Sequence, residues 1–409
     1  MRPFIEADLP ELEPIISAHE TNEGWRGITS HGEVYEVGST NGHKAEIPSE
    51  IVVAHQGVPI GKRLVNRENT VDIDAYLVNF NRVVFHYQNN RLNEALLASD
   101  MTLMIADTLR ARFNRSMVLL ALGRWREGLQ QYWECEQHRP FMRPQVEQAL
   151  ALGMKPWMGE PLTGKRVLLL HAHGFGDTIQ MLRYVPRIKK AVMVMPPEMT
   201  RLAEQVGLVI DRPMDCDYFC PMLHLLYMLN VTPDKVLGGS YLRGNAHKAD
   251  ANTWHIKLGE KTRRRVGVAW SIGKPSMGDY PREIDLLELV LHLGKDVEIH
   301  SVQTQHAEEA QRLGVITHEF KDFQNCAALM GFMDEIISVD TAALHLAGAI
   351  GHRQVTGLLS YWSSWRWVAP WYNNVTLLKQ KSAGDWDSAL YAHQTGQDGK
   401  GSVQQISRA

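Results

Sequence analysis

The chain has 409 residues, and its 43 basic and 46 acidic side chains leave a formal net charge of −3. Its 44% hydrophobic and 22% charged residues are typical of globular proteins and exclude wholesale disorder. A near-neutral charge disfavours nucleic acid as a partner, which would need a local basic patch. The first eight residues lack the basic and apolar regions of a signal peptide, and no uncharged apolar run of about 18 residues follows. We therefore expect a cytoplasmic protein without a transmembrane segment.

The four cysteines are too few and too scattered for a disulfide framework, so we expect them to be reduced. Cys216 and Cys220 are four residues apart, with His224 nearby on a predicted helix. Because no second pair with zinc spacing follows them, the pattern does not favour a metal site.

Residues 1–70 contain short β-like stretches broken by glycine and proline, such as 33–37 and 51–54, and predict a β-rich cap. Residues 71–155 are helical in pattern, and the segment 90–96 recurs 33 residues later as 123–129. A period near 34 residues is typical of tetratricopeptide repeats. The alternative is a generic helical bundle.

Small residues support the repeat interpretation. Ala95 and Gly128 occupy equivalent positions, where two helices must approach closely. The register of the repeat is also supported by Gly123, Trp125, Tyr132 and Pro140.

Residues 156–250 and 251–390 alternate predicted strands and helices, which implies two parallel sheets with helices on both faces. Two such open α/β halves in tandem form a cleft. The predicted strands are 166–171, 191–195, 208–210, 266–270, 297–302 and 335–339, and the predicted helices are 177–190, 198–206, 285–293 and 341–350. Residues 391–409 are predicted to be a flexible tail.

The first informative segment leads from a strand into a helix and includes Gly174, Gly176, Asp177 and Thr178. Glycines at this place let backbone approach a ligand beyond the carboxyl end of a strand. The dinucleotide fingerprint fails, because it would require glycine where Ile179 stands. Taken alone, Asp177 is better explained as a helix N-cap.

The second informative segment begins where a buried strand ends at Asp340 and a helix of small residues begins at Thr341. Free amides at that helix start, with the Thr341 hydroxyl, form a natural cradle for phosphate. His345 lies four residues on and shares a helix face with Thr341. The alternatives are a hydrogen-bonded core histidine and, for Asp340, a simple cap.

Together these segments resemble the ADP-heptose:lipopolysaccharide heptosyltransferase type of glycosyltransferase. The resemblance rests on 174–186 and 338–345 and continues in 266–271, Arg282, Gln303, 366–367 and 384–387. More narrowly, the chain resembles bacterial proteins that fuse tetratricopeptide repeats to such a domain. The implied fold is α/β of the GT-B type, a pair of Rossmann-like domains preceded by a helical tetratricopeptide-like region.

The resemblance implies an inverting reaction without metal or cofactor. The second half (251–390) would bind a nucleotide-sugar, the first half (156–250) would face the acceptor, and Asp177 would be the general base for the acceptor hydroxyl. Ser271, Arg282 and the amides of Thr341 and Ala342 would stabilise the leaving diphosphate. Arg282 and Thr341 both follow strands and have no partner evident in the sequence.

The remaining implied contacts also concern the donor. Gln303 would reach the ribose or base, and His345 and Asp340 would touch the sugar or diphosphate. The implied donor-binding set is Gly174, Gly176, Thr178, Trp270, Ser271, Arg282, Gln303, Asp340, Thr341, Ala342 and His345.

A metal-dependent transferase of the other major fold would need an Asp-x-Asp pair. The pairs 72/74, 215/217 and 385/387 do not lie between suitable elements. An aromatic cluster between Tyr361 and Tyr372 could stack on a sugar, but core packing between the halves is favoured.

The acceptor is inferred from the domain organisation. A repeat array offers a concave surface for peptides, so we expect a macromolecular acceptor, with protein favoured over glycan or nucleic acid. The rival hypothesis from another class is a non-catalytic repeat scaffold with a degenerate transferase domain. The short first half supports this rival.

Overall fold

A computed structural model of the chain describes residues 15–21, 24–29, 34–38, 50–55, 58–64, 71–136, 143–171, 173–211, 216–272 and 282–396. The chain divides into two compact units, residues 1–138 and 139–409. Each unit is described by itself.

The N-terminal unit begins with β-structure. Strands β1 (Ile15–Thr21), β2 (Gly24–Thr29) and β3 (Val34–Gly38) form an antiparallel sheet in that order, and β4 (Glu50–His55) pairs with β5 (Val58–Leu64) in a separate hairpin. The two β-like stretches noted in the sequence correspond largely to β3 and β4.

Four helices follow, namely α1 (Ile73–Gln88), α2 (Leu92–Ile105), α3 (Leu109–Ala121) and α4 (Trp125–Glu136). Asp72 caps α1 by accepting a hydrogen bond from the Ala75 amide, so this member of an Asp-x-Asp pair has a structural role. Consecutive helices contact each other, which is the arrangement of two successive helical hairpins.

The turns of the two hairpins have the same geometry at the 33-residue spacing seen in the sequence. Asn90 and Gly123 both adopt positive φ, at 55° and 77°. The amide of Arg91 donates to His86 O, and the amide of Arg124 donates to Leu119 O, each at 2.9 Å. A left-handed residue is easily supplied by glycine or asparagine, which explains the residue types found at these two positions.

Close helix packing accounts for the small residues of the repeat. A Cβ atom at Gly128 of α4 would lie 2.9 Å from Leu120 Cγ and 3.1 Å from Leu120 N on α3. Ala95 is completely buried at the equivalent position, and Trp125 donates its indole N–H to Leu120 O at 3.2 Å. The predicted close approach therefore occurs at Gly128.

The second unit starts with α5 (Arg143–Ala151) and a five-stranded parallel sheet of order β6-β10-β7-β8-β9. We call the part through residue 258 the first half. Its strands are β6 (Lys155–Pro156), β7 (Val167–Leu170), β8 (Ala191–Val194), β9 (Leu208–Val209) and β10 (Tyr218–Pro221), and its further helices are α6 (Phe175–Leu182), α7 (Pro197–Ala203), α8 (Leu225–Met228) and α9 (Lys248–Leu258).

The second half, residues 264–396, has a parallel sheet of order β12-β11-β13-β14-β15. Its strands are β11 (Arg264–Ala269), β12 (Val297–Ser301), β13 (Glu335–Val339), β14 (Val355–Leu359) and β15 (Val375–Lys379). Its helices are α10 (Leu286–Leu293), α11 (Ala307–Arg312), α12 (Phe323–Met330), α13 (Ala342–Ala349) and α14 (Trp386–Thr395).

Several element boundaries differ from the sequence predictions. Helix α6 begins at Phe175, two residues before Asp177, and ends at Leu182 instead of residue 190. A 3-10 turn with Pro186 follows, and proline cannot supply the amide that a continuing helix needs. Helix α14 runs to Thr395, so residues 391–395 are helical and do not belong to a tail, whereas residues 397–409 lie outside the described part.

Ion pairs join the two halves beside the cleft. Arg201 on α7 binds both carboxylate oxygens of Asp322, the N-cap of α12, at 2.5 and 2.7 Å. The same guanidinium binds Asp250 on α9 at 2.7 Å. The pair of Arg201 and Asp322 joins the two halves, whereas the contact with Asp250 lies within the first half. Among the described residues, no helix has the length and apolar character needed to cross a membrane.

Candidate active site

Two helix N-termini meet where the carboxyl ends of the two sheets face each other. Helix α6 follows β7 and has Gly174 as its N-cap, and α13 follows β13 and has Thr341 as its N-cap. Gly174 has no side chain to accept a hydrogen bond, and the Thr341 side chain accepts none from the first turn of α13. Each first turn therefore presents a partial positive charge and amide donors.

The two helices touch at their first turns. A Cβ atom at Gly176 would lie 2.8 Å from His345 Cδ2 and 3.6 Å from Ala342 Cα, so only glycine permits this approach. Gly176, Ala342 and His345, all members of the implied donor-binding set, thus lie close together. Tyr241 also joins the two helices, since its hydroxyl donates to Ile179 O at 2.6 Å and its amide donates to Ala349 O at 3.0 Å.

Asp177 lies in the first turn of α6, three residues after the N-cap, so the N-cap interpretation is wrong for this residue. Its carboxylate forms an ion pair with Arg366 of the second half, and each of the two side chains is 18% exposed. Burial alone would raise the pKa of Asp177. The guanidinium of Arg366 outweighs that effect and holds the pKa of Asp177 below its ordinary value, so Asp177 is ionised.

His345 is a buried, neutral side chain. Its ring stacks on Trp367 with centroids 5.0 Å apart, and its Nδ1 shares a 3.1 Å hydrogen bond with the Tyr372 hydroxyl. Burial lowers the pKa of His345 to about 4, although Asp340 and Asp177 oppose the shift. The histidine can therefore act as a hydrogen-bonding group, but it carries no charge near neutral pH.

Asp340 lies between a cation and this histidine. Arg282 Nη1 is 3.7 Å from Asp340 Oδ2, and His345 Nε2 is 3.8 Å from Asp340 Oδ1. Arg282 therefore has the partner that the sequence did not reveal. Thr341 shares a 3.0 Å hydrogen bond with the Ser338 hydroxyl, which ties the start of α13 to β13.

The strand ends next to this cluster are held by side-chain acceptors. Gln303 Oε1 accepts from the amides of Trp270 and Ser271 at 2.8 and 3.1 Å. Glu283 Oε1 accepts from the Ser271 hydroxyl and the Ile272 amide, both at 3.0 Å. Ser271 and Gln303 thus help to fix the residues directly after β11. Sequence reasoning missed Glu283, because nothing but its place beside Arg282 marks it.

Thr178 forms a hydrogen bond within its own half of the unit. Its hydroxyl shares a 2.7 Å hydrogen bond with His171 Nδ1, and the side chain is buried. Burial lowers the pKa of His171, with a smaller contribution from His173. The hydrogen bond couples the end of β7 to the first turn of α6 and so helps to orient that turn.

Members of the aromatic cluster pack against the site, where Trp367 and Tyr372 contact His345. Trp365, Trp367, Trp371 and Tyr372 are buried, and the Arg183 guanidinium lies 4.8 Å from the Tyr372 ring centroid. Packing is therefore the role of these four aromatic residues.

The described residues contain no cluster of three or more histidine, cysteine or acidic side chains that could hold a metal ion. Asp385 caps α14 through the Ser388 amide, and Asp217 pairs with Lys165. Asp215 lies outside the described residues. All four cysteines are buried and unpaired with one another.

Comparisons with known proteins give distant likenesses. No protein-family model matches the chain. It is 24% identical over 332 residues to Protein FlbA of Caulobacter vibrioides, covering 69% of this chain but 54% of FlbA, so it spans about half the length of that relative.

Two solved structures are similar at low identity. A glycosyl transferase family 9 structure from Veillonella parvula matches with a TM-score of 0.41 at 12% identity, over 58% of this chain and 91% of that one. The E. coli ADP-heptose lps heptosyltransferase II matches with a TM-score of 0.37 at 10% identity, over 56% of this chain and 99% of that one. Likenesses at this distance do not assign the chain to a family.

Proposed function

We propose that residues 139–409 form an inverting, metal-independent glycosyltransferase of the GT-B type. The observation that carries the proposal is the meeting of α6 and α13, which places the Asp177 carboxylate of one half beside the helix start of the other. A sheet-end crevice between two parallel sheets is where open α/β proteins bind ligands. The heptosyltransferase-like motifs lie at this same place.

Asp177 serves as the general base in this proposal. Its carboxylate takes the proton of an acceptor hydroxyl while the oxygen attacks the anomeric carbon from the face opposite the diphosphate. The ion pair with Arg366 keeps the carboxylate ionised and also makes it a weaker base. Exclusion of water from the closed cleft would offset part of that loss.

The second half binds the nucleotide-sugar. Charge that develops on the leaving diphosphate is stabilised by the amides at the start of α13 and by Arg282. Arg282 suits a diphosphate because its guanidinium offers paired donors. The neutral His345 would donate or accept a hydrogen bond at the sugar. No cofactor is needed for this chemistry.

The N-terminal helices, which we interpret as tetratricopeptide repeats, would recruit a macromolecular acceptor, with protein favoured. Large apolar side chains are exposed on them, including Phe85 at 55%, Leu97 at 63% and Met104 at 86%. Such side chains are suited to binding a protein segment. This acceptor hypothesis also rests on the sequence repeat and its matching turns.

The second candidate is a non-catalytic scaffold that retains the fold. It is favoured by one observation, namely that Asp177 is already paired with Arg366 at the point where α6 and α13 are in contact. In this candidate the ion pair is structural, and Asp177 takes no proton from a substrate.

A nucleotide-sugar panel tests the proposed function. The protein is incubated with each donor and with candidate protein acceptors, in the presence and absence of EDTA, and nucleoside diphosphate release is measured. We expect release with at least one donor and no effect of chelation. Release that chelation abolishes would overturn the metal-independent mechanism.

The variant Asp177→Asn separates the enzyme from the scaffold. An enzyme that uses Asp177 as its base should lose turnover by orders of magnitude while retaining its affinity for nucleoside diphosphate. Turnover that is unchanged in this variant would exclude Asp177 as the base. A wild type that releases no diphosphate from any donor would favour the scaffold.

A further inference from the structure

The ion pair of the candidate base crosses the boundary between the halves. Asp177 belongs to α6 of the first half, whereas Arg366 belongs to the 3-10 turn Trp365–Val368 that follows β14 in the second half. The sequence placed Arg366 in a motif but gave it no role. The structure therefore adds a cation to the site.

Several contacts hold the Arg366 side chain in place. Its Nη1 donates to the Ser364 hydroxyl at 3.2 Å, and its guanidinium lies 4.7 Å from the Trp365 ring centroid. The Trp371 indole N–H donates to the Arg366 carbonyl, which fixes the turn. A guanidinium held in this way loses little conformational freedom when it binds a carboxylate.

Three elements direct charge or titratable groups at Asp177. They are Arg366 from the turn after β14, His345 from α13 and His173 from the loop before α6. His345 is neutral because it is buried, so Arg366 supplies the fixed positive charge. Asp177 is thereby stabilised as a carboxylate by a residue of the half that we assign to the donor.

Resting on the proposed function, we propose that Arg366 is the positioning residue of Asp177, contributed by the half that does not carry the base. In the transfer step, the acceptor O–H proton passes to an Asp177 oxygen and the acceptor oxygen forms a bond to the anomeric carbon. The bond from that carbon to the diphosphate oxygen breaks, and its electron pair leaves with the diphosphate. Arg366 acts by orienting the carboxylate and keeping it ionised until the proton arrives.

The pH dependence of kcat/KM tests this role. In Arg366→Gln the acid limb should move to higher pH, because an isolated buried carboxylate takes up a proton more readily. At the acid end of the profile, the ratio of variant to wild-type kcat/KM should be about tenfold lower than at pH 8. Arg366→Lys retains the charge and should restore the position of the limb.

A matched control comes from another ion pair in the same half, whose arginine is exposed. Arg353 pairs with Asp334, which precedes β13 and so lies at the opposite end of the sheet. Arg353→Gln should leave the profile unchanged. An acid limb that stays in place in Arg366→Gln, or that moves equally in Arg353→Gln, would overturn the assignment of Arg366.

A second measurement is independent of turnover. The Asp177 carboxyl carbon is titrated by NMR in selectively labelled protein, with Asp177→Asn used to identify the signal. We expect a higher titration midpoint in Arg366→Gln than in wild type or Arg353→Gln. An unmoved midpoint overturns the role of Arg366 even if the wild type is active. A wild type without turnover on any donor overturns the proposed function whatever the titration shows.

Discussion

Gly176 and His345 approach so closely that a Cβ atom at residue 176 would lie 2.8 Å from His345 Cδ2. The contact joins the first turns of α6 and α13. These helices follow strands of two separate sheets, so residues of both halves come together in one site. His345 cannot move away easily, because it is buried between Trp367 and Tyr372. A single missing side chain at residue 176 therefore determines how near Asp177 lies to the start of α13.

The variant Gly176→Ala should separate the two helices. Its methyl group overlaps His345, and such overpacking costs about 1–3 kcal/mol of unfolding free energy. Turnover should fall together with the free energy of unfolding, because Asp177 is displaced from the second half, which we propose binds the donor. The control is Gly174→Ala, where the added Cβ would meet only Asp177 Oδ2, at 3.7 Å, and where φ is −63°. Urea unfolding of both variants checks the prediction, and equal losses would contradict it.

Gly128→Ala tests the repeat packing of the N-terminal unit. The methyl group would press on Leu120, including its backbone nitrogen at 3.1 Å, which cannot rotate away. We expect a loss of about 1–3 kcal/mol from the unfolding of this unit. Gln130→Ala on the exposed side of α4 is the control and should be nearly neutral. A stability gain in Gly128→Ala, as helix propensity alone would give, would argue against close packing.

Local patterns made much of the fold predictable. The strand Val167–Leu170 is an unbroken apolar run that is buried along its whole length, so its sequence identifies it. The positive φ at Asn90 and Gly123 repeats with the sequence period. The sequence predicts the start of α6 at Asp177 because Asp is favoured at helix starts, whereas the helix begins at Phe175 and uses Gly174 as its N-cap.

The contacts of the site were less predictable because they join residues far apart in sequence. Nothing in the sequence indicates that Arg366 would meet Asp177, or that Asp340 would lie between Arg282 and His345. Glu283 is equally hidden, since its role depends on its contacts with Ser271 and Ile272, about eleven residues earlier in the chain. The motifs predict which loops carry chemistry, and only the packing of the two halves shows which side chains meet.

Two stacked histidines, the buried His300 and the half-buried His318, should make the second unit less stable in mild acid. His300 Nδ1 and His318 Nε2 are 3.0 Å apart in stacked rings, and burial lowers the pKa of each histidine to about 4. The unfolded chain takes up protons on these rings below about pH 6.5, whereas the folded protein does not. The free energy of unfolding should therefore fall as the pH is lowered from about 6.5 toward 4.

Melting temperatures measured between pH 7.5 and 5 check this dependence. His318→Gln removes one of the two titrating rings and should flatten the decline, while Gln can still form a hydrogen bond with His300. His255→Gln, at an exposed position on α9, is the control and should leave the decline as it is in wild type. A slope that His318→Gln does not alter would assign the acid sensitivity to other groups.

Arg282→Ala tests the placement of the donor diphosphate. The variant removes a charge-assisted contact worth about 1.5–3 kcal/mol, so nucleoside diphosphate binding should weaken about tenfold or more. Stability should change by about 1 kcal/mol or less, because Arg282 is one-quarter exposed and its pairing with Asp340 spans 3.7 Å. Calorimetric titration with nucleoside diphosphates and thermal melting measure the two effects, with Arg353→Ala as the control. Unaltered affinity together with a large fall in melting temperature would make Arg282 a structural partner of Asp340 and would remove the diphosphate from this position.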